Sequence, residues 1–108
     1  MAETENSFVL IKIVVQRKQG ERVLDCLQKH GAPGITYYYA RGAGVREKLG
    51  ILARYIEAEK MVFEIVEQAD KAQKLLDAVI AETNINLPGK GFCYITPVTR
   101  VEGYMAGN

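Results

Sequence analysis

A helix pattern gives way to a strand pattern within residues 84–95, NINLPGKGFCYI, and this stretch fixes the last crossover of the fold. Between the two patterns stand one proline, two glycines and one lysine, in the run Leu87 to Gly91. Glycine lets backbone N–H groups approach a ligand because no Cβ is in the way. Consecutive N–H groups in a turn suit an anion, and a lysine adds a point charge. The run is therefore a candidate phosphate cradle, and a plain turn that feeds an edge strand is the alternative.

A second glycine turn lies earlier in the chain, at Arg41-Gly42-Ala43-Gly44. It favours the ligand-binding interpretation because the predicted fold can bring the two turns together.

The composition is that of one ordinary globular domain. The chain has 108 residues, of which 48% are hydrophobic and 25% charged. Its net charge of +1 gives no general electrostatic reason to expect nucleic acid or an anionic membrane as a partner. Residues 1–5 are acidic and lack the apolar segment of a signal peptide, and no apolar run reaches membrane-spanning length. We expect a cytoplasmic protein that is not embedded in a membrane.

The cysteines and the histidine predict no metal site. Cys26 and Cys93 lie far apart and in no metal-ligand spacing, and His30 is the only histidine. Both cysteines fall in predicted regular elements, so we expect buried thiols. We interpret His30 as a cation at the end of a helix.

Hydrophobic periodicity predicts four strands and two helices in the order βαβ, long loop, βαβ. The strands are predicted at residues 8–15, 35–40, 59–66 and 92–98, and the helices at 21–30 and 71–83, the second capped by Asp70. Three successive tyrosines, Tyr37 to Tyr39, must alternate between the two faces of their strand. This order predicts a single α+β domain over residues 1–108, a ferredoxin-like βαββαβ sandwich with the first and third strands central.

Three segments lie outside this predicted sandwich. They are an N-terminal arm at residues 1–7, a long loop at 41–58 and a C-terminal tail at 99–108. Edge strands of this kind commonly pair across subunits, and the bare face of the sheet needs cover, so we expect an oligomer.

The long loop has no clean period. It is either a functional loop or a short amphipathic helix, from Val45 to Leu52, that packs on its own domain. As a loop, it would present a partner-binding tip, with candidate contacts at Arg46, Leu49, Ile51, Leu52 and Arg54.

Two classes of function find little support. The sequence contains no HExxH, GxSxG or Walker A motif, so we expect no enzyme. Residues 90–95 look like an aromatic RNA-binding motif of the same fold, but that motif belongs on the third strand and here it falls on the fourth.

From about Phe8 to Val98 the sequence resembles the nitrogen regulatory P-II proteins. The resemblance rests on Gly34-Ile35-Thr36 before the second strand, Gly42-Ala43-Gly44 at the start of the long loop, and Gly89-Lys90 before the fourth strand. It implies a homotrimer that binds an adenine nucleotide (AMP, ADP or ATP) in clefts between subunits and has no catalytic residue. The matching nucleotide contacts are Ile35, Thr36, Gly42, Gly44, Leu87, Gly89, Lys90 and Arg100.

The sequence also departs from that family. Classical members clamp the terminal phosphates with two arginines after the last strand, whereas this chain has at most Arg100, followed by Glu102. A mono- or diphosphate thus fits better than a triphosphate. Val45-Arg46-Glu47 stands where the family has a glutamine that helps hold magnesium and 2-oxoglutarate, so binding of both is open.

The resemblance implies that the nucleotide controls the long loop, which docks on a target such as a membrane transporter or a metabolic enzyme. The alternative is a trimer like the CutA divalent-cation tolerance proteins, with a structural or metal-related role and no bound nucleotide.

Overall fold

Four strands form one antiparallel sheet, and two helices cover one of its faces. The computed structural model describes residues 7–43 and 58–104. Their elements are, in chain order, β1 (Phe8–Gln16), a short 3₁₀ turn (Arg17–Gln19), α1 (Gly20–Lys29), β2 (Thr36–Arg41), β3 (Glu59–Gln68), α2 (Ala69–Thr83) and β4 (Gly91–Val98). The strand order is β2-β3-β1-β4, and every neighbouring pair is antiparallel. The predicted ferredoxin-like fold, with the first and third strands at the centre, is confirmed.

The hydrophobic core lies between the helices and the covered face of the sheet. Successive side chains of a strand point to opposite faces, so alternate residues of β1 and their register partners on β3 enter the core together. Phe63, the largest fully buried side chain, pairs with Ile13 and is completely shielded from solvent. The core is completed by Ile11, Val15, Val23, Cys26, Leu27, Met61, Ile65, Ala72, Leu75, Val79 and Ile85.

α1 ends in a Schellman motif at Gly31. Gly31 has a φ of 77°, a conformation that glycine adopts without a steric penalty. Its N–H donates to Gln28 O at 3.1 Å, and the Ala32 N–H donates to Leu27 O at 2.9 Å. These two bonds satisfy carbonyls that the end of a helix leaves without intrahelical partners.

α2 begins earlier than its capping pattern predicts. Gln68 occupies the cap position without a side-chain capping bond, and Asp70 lies inside the first turn. The prediction of Asp70 as the N-cap is therefore wrong, although its charge still suits the N-terminus of the helix. Neither helix among residues 7–43 and 58–104 is long and apolar enough to cross a bilayer.

The other face of the sheet carries aromatic rings around a small polar network. The Tyr38 hydroxyl donates to Glu64 Oε2 at 2.9 Å, and Lys12 Nζ lies 3.6 Å from the same oxygen. Tyr38, with smaller effects from Tyr94 and Glu64, raises the pKa of Lys12. The rings of Phe92 and Tyr94 stack with centroids 6.1 Å apart, and both residues are exposed.

The tyrosines of β2 alternate between the faces as predicted. Tyr37 and Tyr39 pair with Phe63 and Met61 of the core, whereas Tyr38 pairs with Val62 on the other face. All three tyrosines are nevertheless between 40% and 61% exposed. The β2 edge of one chain therefore presents a large aromatic surface to solvent.

Gly91 stands where β4 passes close to β1, which makes it a sensitive test of this packing. Its φ is 151°, and a Cβ there would overlap the Val14 carbonyl oxygen and lie 3.1 Å from Val15 Cα. We expect Gly91→Ala to lower the free energy of unfolding by about 1–3 kcal/mol, because the backbone must leave a conformation that alanine rarely adopts. Urea unfolding at one fixed protein concentration measures the change.

Gly34→Ala is the matched control. A Cβ at Gly34 would meet nothing within 4 Å, so its effect should stay within about 0.5 kcal/mol. Equal unfolding midpoints for the two variants would contradict the packing at Gly91.

Candidate functional site

The sheet brings the two glycine turns to the same end of the molecule but to opposite edges. Arg41, the last residue of β2, pairs with Glu59 at the start of β3, and β4 begins with Gly91 paired to Val15 near the end of β1. β3 and β1 lie between the two edges. Three inter-strand spacings of about 4.8 Å therefore separate the turns by about 14 Å. Within one chain the turns share an end of the sheet without meeting.

The run before β4 contains two successive backbone turns, each closed by a hydrogen bond. Leu87 N donates to Asn84 O at 3.0 Å, and Lys90 N donates to Leu87 O at 3.1 Å. Asn84 and Gly89 both have positive φ angles, 57° and 77°. Leu87 is 51% exposed and Lys90 is half-buried. These hydrogen bonds thus hold the backbone in turns that place Lys90 next to Gly89.

Gln16 ties this turn to the central strand, and the sequence analysis did not single it out. Its Nε2 donates to Gly89 O at 2.6 Å, although the two residues are 73 positions apart. The residue is 1% exposed, and its Oε1 has no hydrogen-bond partner in the described part of the chain. A polar residue directly after the apolar run Ile13 to Val15 is the one sequence signal that could have indicated it, because buried polar groups normally need a partner.

Gly42 joins the two ends of the long loop. Its N–H donates to Ala58 O at 2.8 Å, which joins the two ends of the segment between β2 and β3. A Cβ at Gly42 would lie 3.2 Å from Lys60 Cε, so the lysine side chain passes directly over this glycine. A ligand that binds at Gly42 would contact the base of the loop and the lysine together.

This end of the sheet is rich in positive charge. Glu59 pairs with both Arg17 and Arg41, with N–O distances of 3.7 Å in each case, and Arg17 also lies 4.8 Å from the centre of the Tyr39 ring. Among the described residues, this end carries the cations Arg17, Lys18, Arg41, Lys60 and Lys90, against the carboxylates of Glu59 and of Glu21 at the start of α1. Such a local excess of one sign attracts an anion even when the whole chain is nearly neutral.

Thr36 lies at the opposite end of β2. Five residue steps of about 3.3 Å separate it from Arg41 by about 17 Å. It lines a pocket of about 440 Å³ on the open face of the sheet, together with Leu10, Gly34, Glu64, Val66, Gly103 and Tyr104. Ile35 is half-buried and packs against the core. Within one chain, Thr36 and Ile35 therefore do not join Gly42 or Lys90.

The segment after β4 folds back to the pocket that Thr36 lines. The Tyr104 ring meets Phe8 edge-to-face at 4.9 Å, and its hydroxyl lies 3.4 Å from Glu67 Oε1. Burial, reinforced by Glu67, raises the pKa of Tyr104. Arg100 Nε donates to Glu102 Oε2 at 2.9 Å, and both side chains are mostly exposed. Glu102 thus competes for the guanidinium that the resemblance assigns to a phosphate.

The remaining predicted contacts lie outside the described residues. They are Gly44 and the five candidate contacts of the loop tip, Arg46, Leu49, Ile51, Leu52 and Arg54. The choice between a functional loop and a short helix at this position also stays a prediction.

Comparison with solved structures places the fold among known ones. The chain is similar to a crystal structure of Arabidopsis thaliana PII bound to citrate, with a TM-score of 0.66 over 94% of this chain and 89% of that chain. The sequence identity is 22%, so this likeness concerns the fold alone. No curated protein matches the sequence.

The family comparison covers almost the whole chain. The model of the nitrogen regulatory protein P-II matches residues 8–107, which include every described strand and helix as well as both glycine turns. The chain therefore belongs to the nitrogen regulatory protein P-II family of signal-transduction regulators.

Proposed function

We propose that the protein senses an adenine nucleotide in clefts between the subunits of a homotrimer and regulates a protein target through the long loop. The observation that carries the proposal is the placement of the glycine turns. They lie at one positively charged end of the sheet but at opposite edges. A site that uses both turns closes only when the β2 edge of one copy meets the β4 edge of the next.

A closed ring satisfies this requirement with one type of contact. The two edges differ, so their pairing is head-to-tail, and a head-to-tail contact forms a ring when its rotation closes. Three copies give three equivalent clefts. The same arrangement would cover the exposed tyrosines of β2 and the Phe92–Tyr94 pair, which together with Leu87 are the large exposed hydrophobic side chains of residues 7–43 and 58–104.

The phosphates would bind at the turn before β4. Lys90 supplies a charge, Gly89 allows close approach of the backbone, and Gln16 fixes the turn through Gly89 O. Because Gln16 already holds the turn, the turn loses little conformational entropy when a ligand binds. Gly42 of a neighbouring copy and the cations around it would form the facing wall.

The adenine ring of the nucleotide would bind near Ile35 and Thr36. In one chain, Thr36 and Lys90 lie on opposite edges of the sheet, and Thr36 is level with Tyr94, three residues beyond the start of β4. A nucleotide held by Lys90 can therefore reach Thr36 only on a neighbouring copy. The Thr36 hydroxyl both donates and accepts a hydrogen bond, as the edge of adenine requires.

A short phosphate chain suits this site better than a triphosphate. Arg100 is the one candidate clamp after β4, and it is paired with Glu102 at 2.9 Å. A phosphate must break that pair or share the guanidinium with a carboxylate. AMP and ADP, which have shorter phosphate chains and less total negative charge than ATP, are the favoured effectors, and magnesium has no assigned ligand.

The long loop would report the bound state to a target in the cytoplasm, such as a membrane transporter or a metabolic enzyme. Its two ends are joined by the Gly42–Ala58 hydrogen bond, which in the proposed trimer would face the phosphate site of a neighbouring copy. The nucleotide controls the loop only if it binds one loop arrangement more tightly than another.

Calorimetric titration with AMP, ADP and ATP, each with and without magnesium, tests nucleotide binding. We expect one site per chain and a loss of about 1.5–3 kcal/mol in Lys90→Ala, a roughly ten- to 150-fold weakening, because a charge-assisted hydrogen bond is removed. Lys74→Ala is the matched control, since Lys74 is exposed on α2 and far from both turns in the sequence.

Two outcomes would contradict this proposal. Binding that is equal in Lys90→Ala and the wild type would remove the turn before β4 from the site. A trimer that gives no heat with any nucleotide would favour the CutA-like alternative, which the Arg100–Glu102 pair already favours. Sedimentation of the same samples reports whether the trimer is present.

Limited trypsin digestion tests the coupling between nucleotide and loop. Trypsin cleaves after lysine and arginine, and the loop contains Arg46 and Lys48. We expect saturating nucleotide to change the rate of cleavage there in the wild type and to leave it unchanged in Lys90→Ala. Equal rates with and without every nucleotide, under conditions where calorimetry shows binding, would exclude the coupling.

A further inference from the structure

Three side chains with different metal-binding atoms converge where the two helices pack. Cys26 and His30 are four residues apart on α1 and its C-cap, so they share one face, and Glu82 comes from the last turn of α2. Their ligand atoms, a sulfur, a nitrogen and an oxygen, all lie within 4.8 Å of one another. None of the three belongs to the proposed nucleotide site.

The carboxylate of Glu82 holds its two neighbours with separate oxygens. His30 Nε2 donates to Oε2 at 2.6 Å, whereas Lys29 Nζ lies 3.4 Å from Oε1. A cation between Cys26, His30 and Oε2 would replace the proton that His30 shares with Glu82. Lys29 could keep its contact with Oε1 at the same time.

We propose that Cys26, His30 and Glu82 form a Zn²⁺ site with a fourth position open to solvent. Zinc prefers a tetrahedral set of thiolate, imidazole and carboxylate ligands at about 2.0–2.3 Å. Ligand atoms in such a set stand roughly 3.3–3.8 Å apart. To reach this geometry, His30 Nε2 and Glu82 Oε2 would have to separate from 2.6 Å, and no pair of ligand atoms, all of which lie within 4.8 Å, would have to approach by more than about 1.5 Å.

The charges balance in this arrangement. The Cys26 thiol gives up its proton to solvent when the Zn–S bond forms. The proton on His30 Nε2 leaves to solvent if the ring is charged or is replaced by one on Nδ1 if it is neutral, so His30 binds as a neutral imidazole. One thiolate and one carboxylate then neutralise the divalent ion. The positive charge of Lys29 remains at the outer oxygen of Glu82 and needs no new partner.

The site has both a protected and an open side. Cys26 is 4% exposed, so the Zn–S bond would be shielded from solvent. The side chains of His30 and Glu82 are 34% and 36% exposed, and a pocket of about 200 Å³ opens beside His30 and Gly31. A metal ion can therefore enter past His30 and Glu82, and its fourth position would hold water.

A plain ion pair between the helices would also account for the contact of His30 with Glu82. The two explanations differ in what they require of Cys26, because an ion pair needs no thiol. Cys93 provides the matched control, since it is a partly buried free thiol on β4, outside the cluster.

Cobalt absorption distinguishes the two explanations. Tag-free, reduced protein without nucleotide is titrated with Co²⁺, which reports a thiolate ligand by a near-ultraviolet charge-transfer band. We expect one Co²⁺ per chain, displaced by one equivalent of Zn²⁺, with the band lost in Cys26→Ser and kept in Cys93→Ser. Glu82→Gln should weaken binding at least about tenfold, by comparison with losses at groups that only support a ligand. No band in the wild type, or a band that persists in Cys26→Ser, would overturn the site.

A second measurement covers the case in which Cys26→Ser does not fold. Ligands that bind only the folded state raise the midpoint of thermal unfolding by mass action. Zn²⁺ should raise that midpoint in the wild type and in Cys93→Ser, and much less in Glu82→Gln and His30→Gln, whose changed side chains are partly exposed. Equal shifts in all four proteins, or no shift in the wild type, would also overturn the proposal. Neither measurement involves nucleotide, so its failure leaves the nucleotide proposal untouched.

Discussion

The antiparallel pairing of β1 with β3 is the constraint on which the rest of the structure depends. It runs from Phe8–Gln68 to Gln16–Lys60 without interruption and joins the apolar residues that both helices cover. With these two strands at the centre, β2 and β4 must occupy the two edges. The separation of the glycine turns follows directly from that one pairing, and it is the reason why the proposed nucleotide site requires a second chain.

Local patterns in the sequence predicted the fold well because each one depends on neighbouring residues. The apolar run of β1, the glycine after α1 and the alternation of three tyrosines are all features of a few consecutive positions. The start of α2 was harder to predict. Asp70 fits a capping pattern, yet β3 and α2 join at Gln68 without a side-chain cap. The strand and the helix thus meet earlier than the local signal indicates.

The site was predicted less completely because its contacts join distant parts of the chain. Gln16 reaches Gly89 across 73 positions, and Glu82 reaches His30 across 52. No local sequence pattern indicates such pairs. The spacing of Cys26 and His30 does match two ligands on one helix face, but the third ligand becomes apparent only when the helices are packed. Net charge was also a poor guide, since a total of +1 conceals a strongly positive end of the sheet.

The hydrogen bond from Gly42 to Ala58 has a consequence for how the protein can evolve. It holds the two ends of the intervening segment together just beyond the ends of β2 and β3, so closing that segment is an entropic cost of folding. The cost grows only slowly with the number of residues enclosed, by about 0.6 kcal/mol for each doubling in a flexible segment. The length and sequence of the segment can therefore diverge between relatives with little effect on the stability of the core. If this segment carries the target contacts, as proposed, a family built on this sheet can acquire new targets by changing one segment while the fold beneath it stays the same.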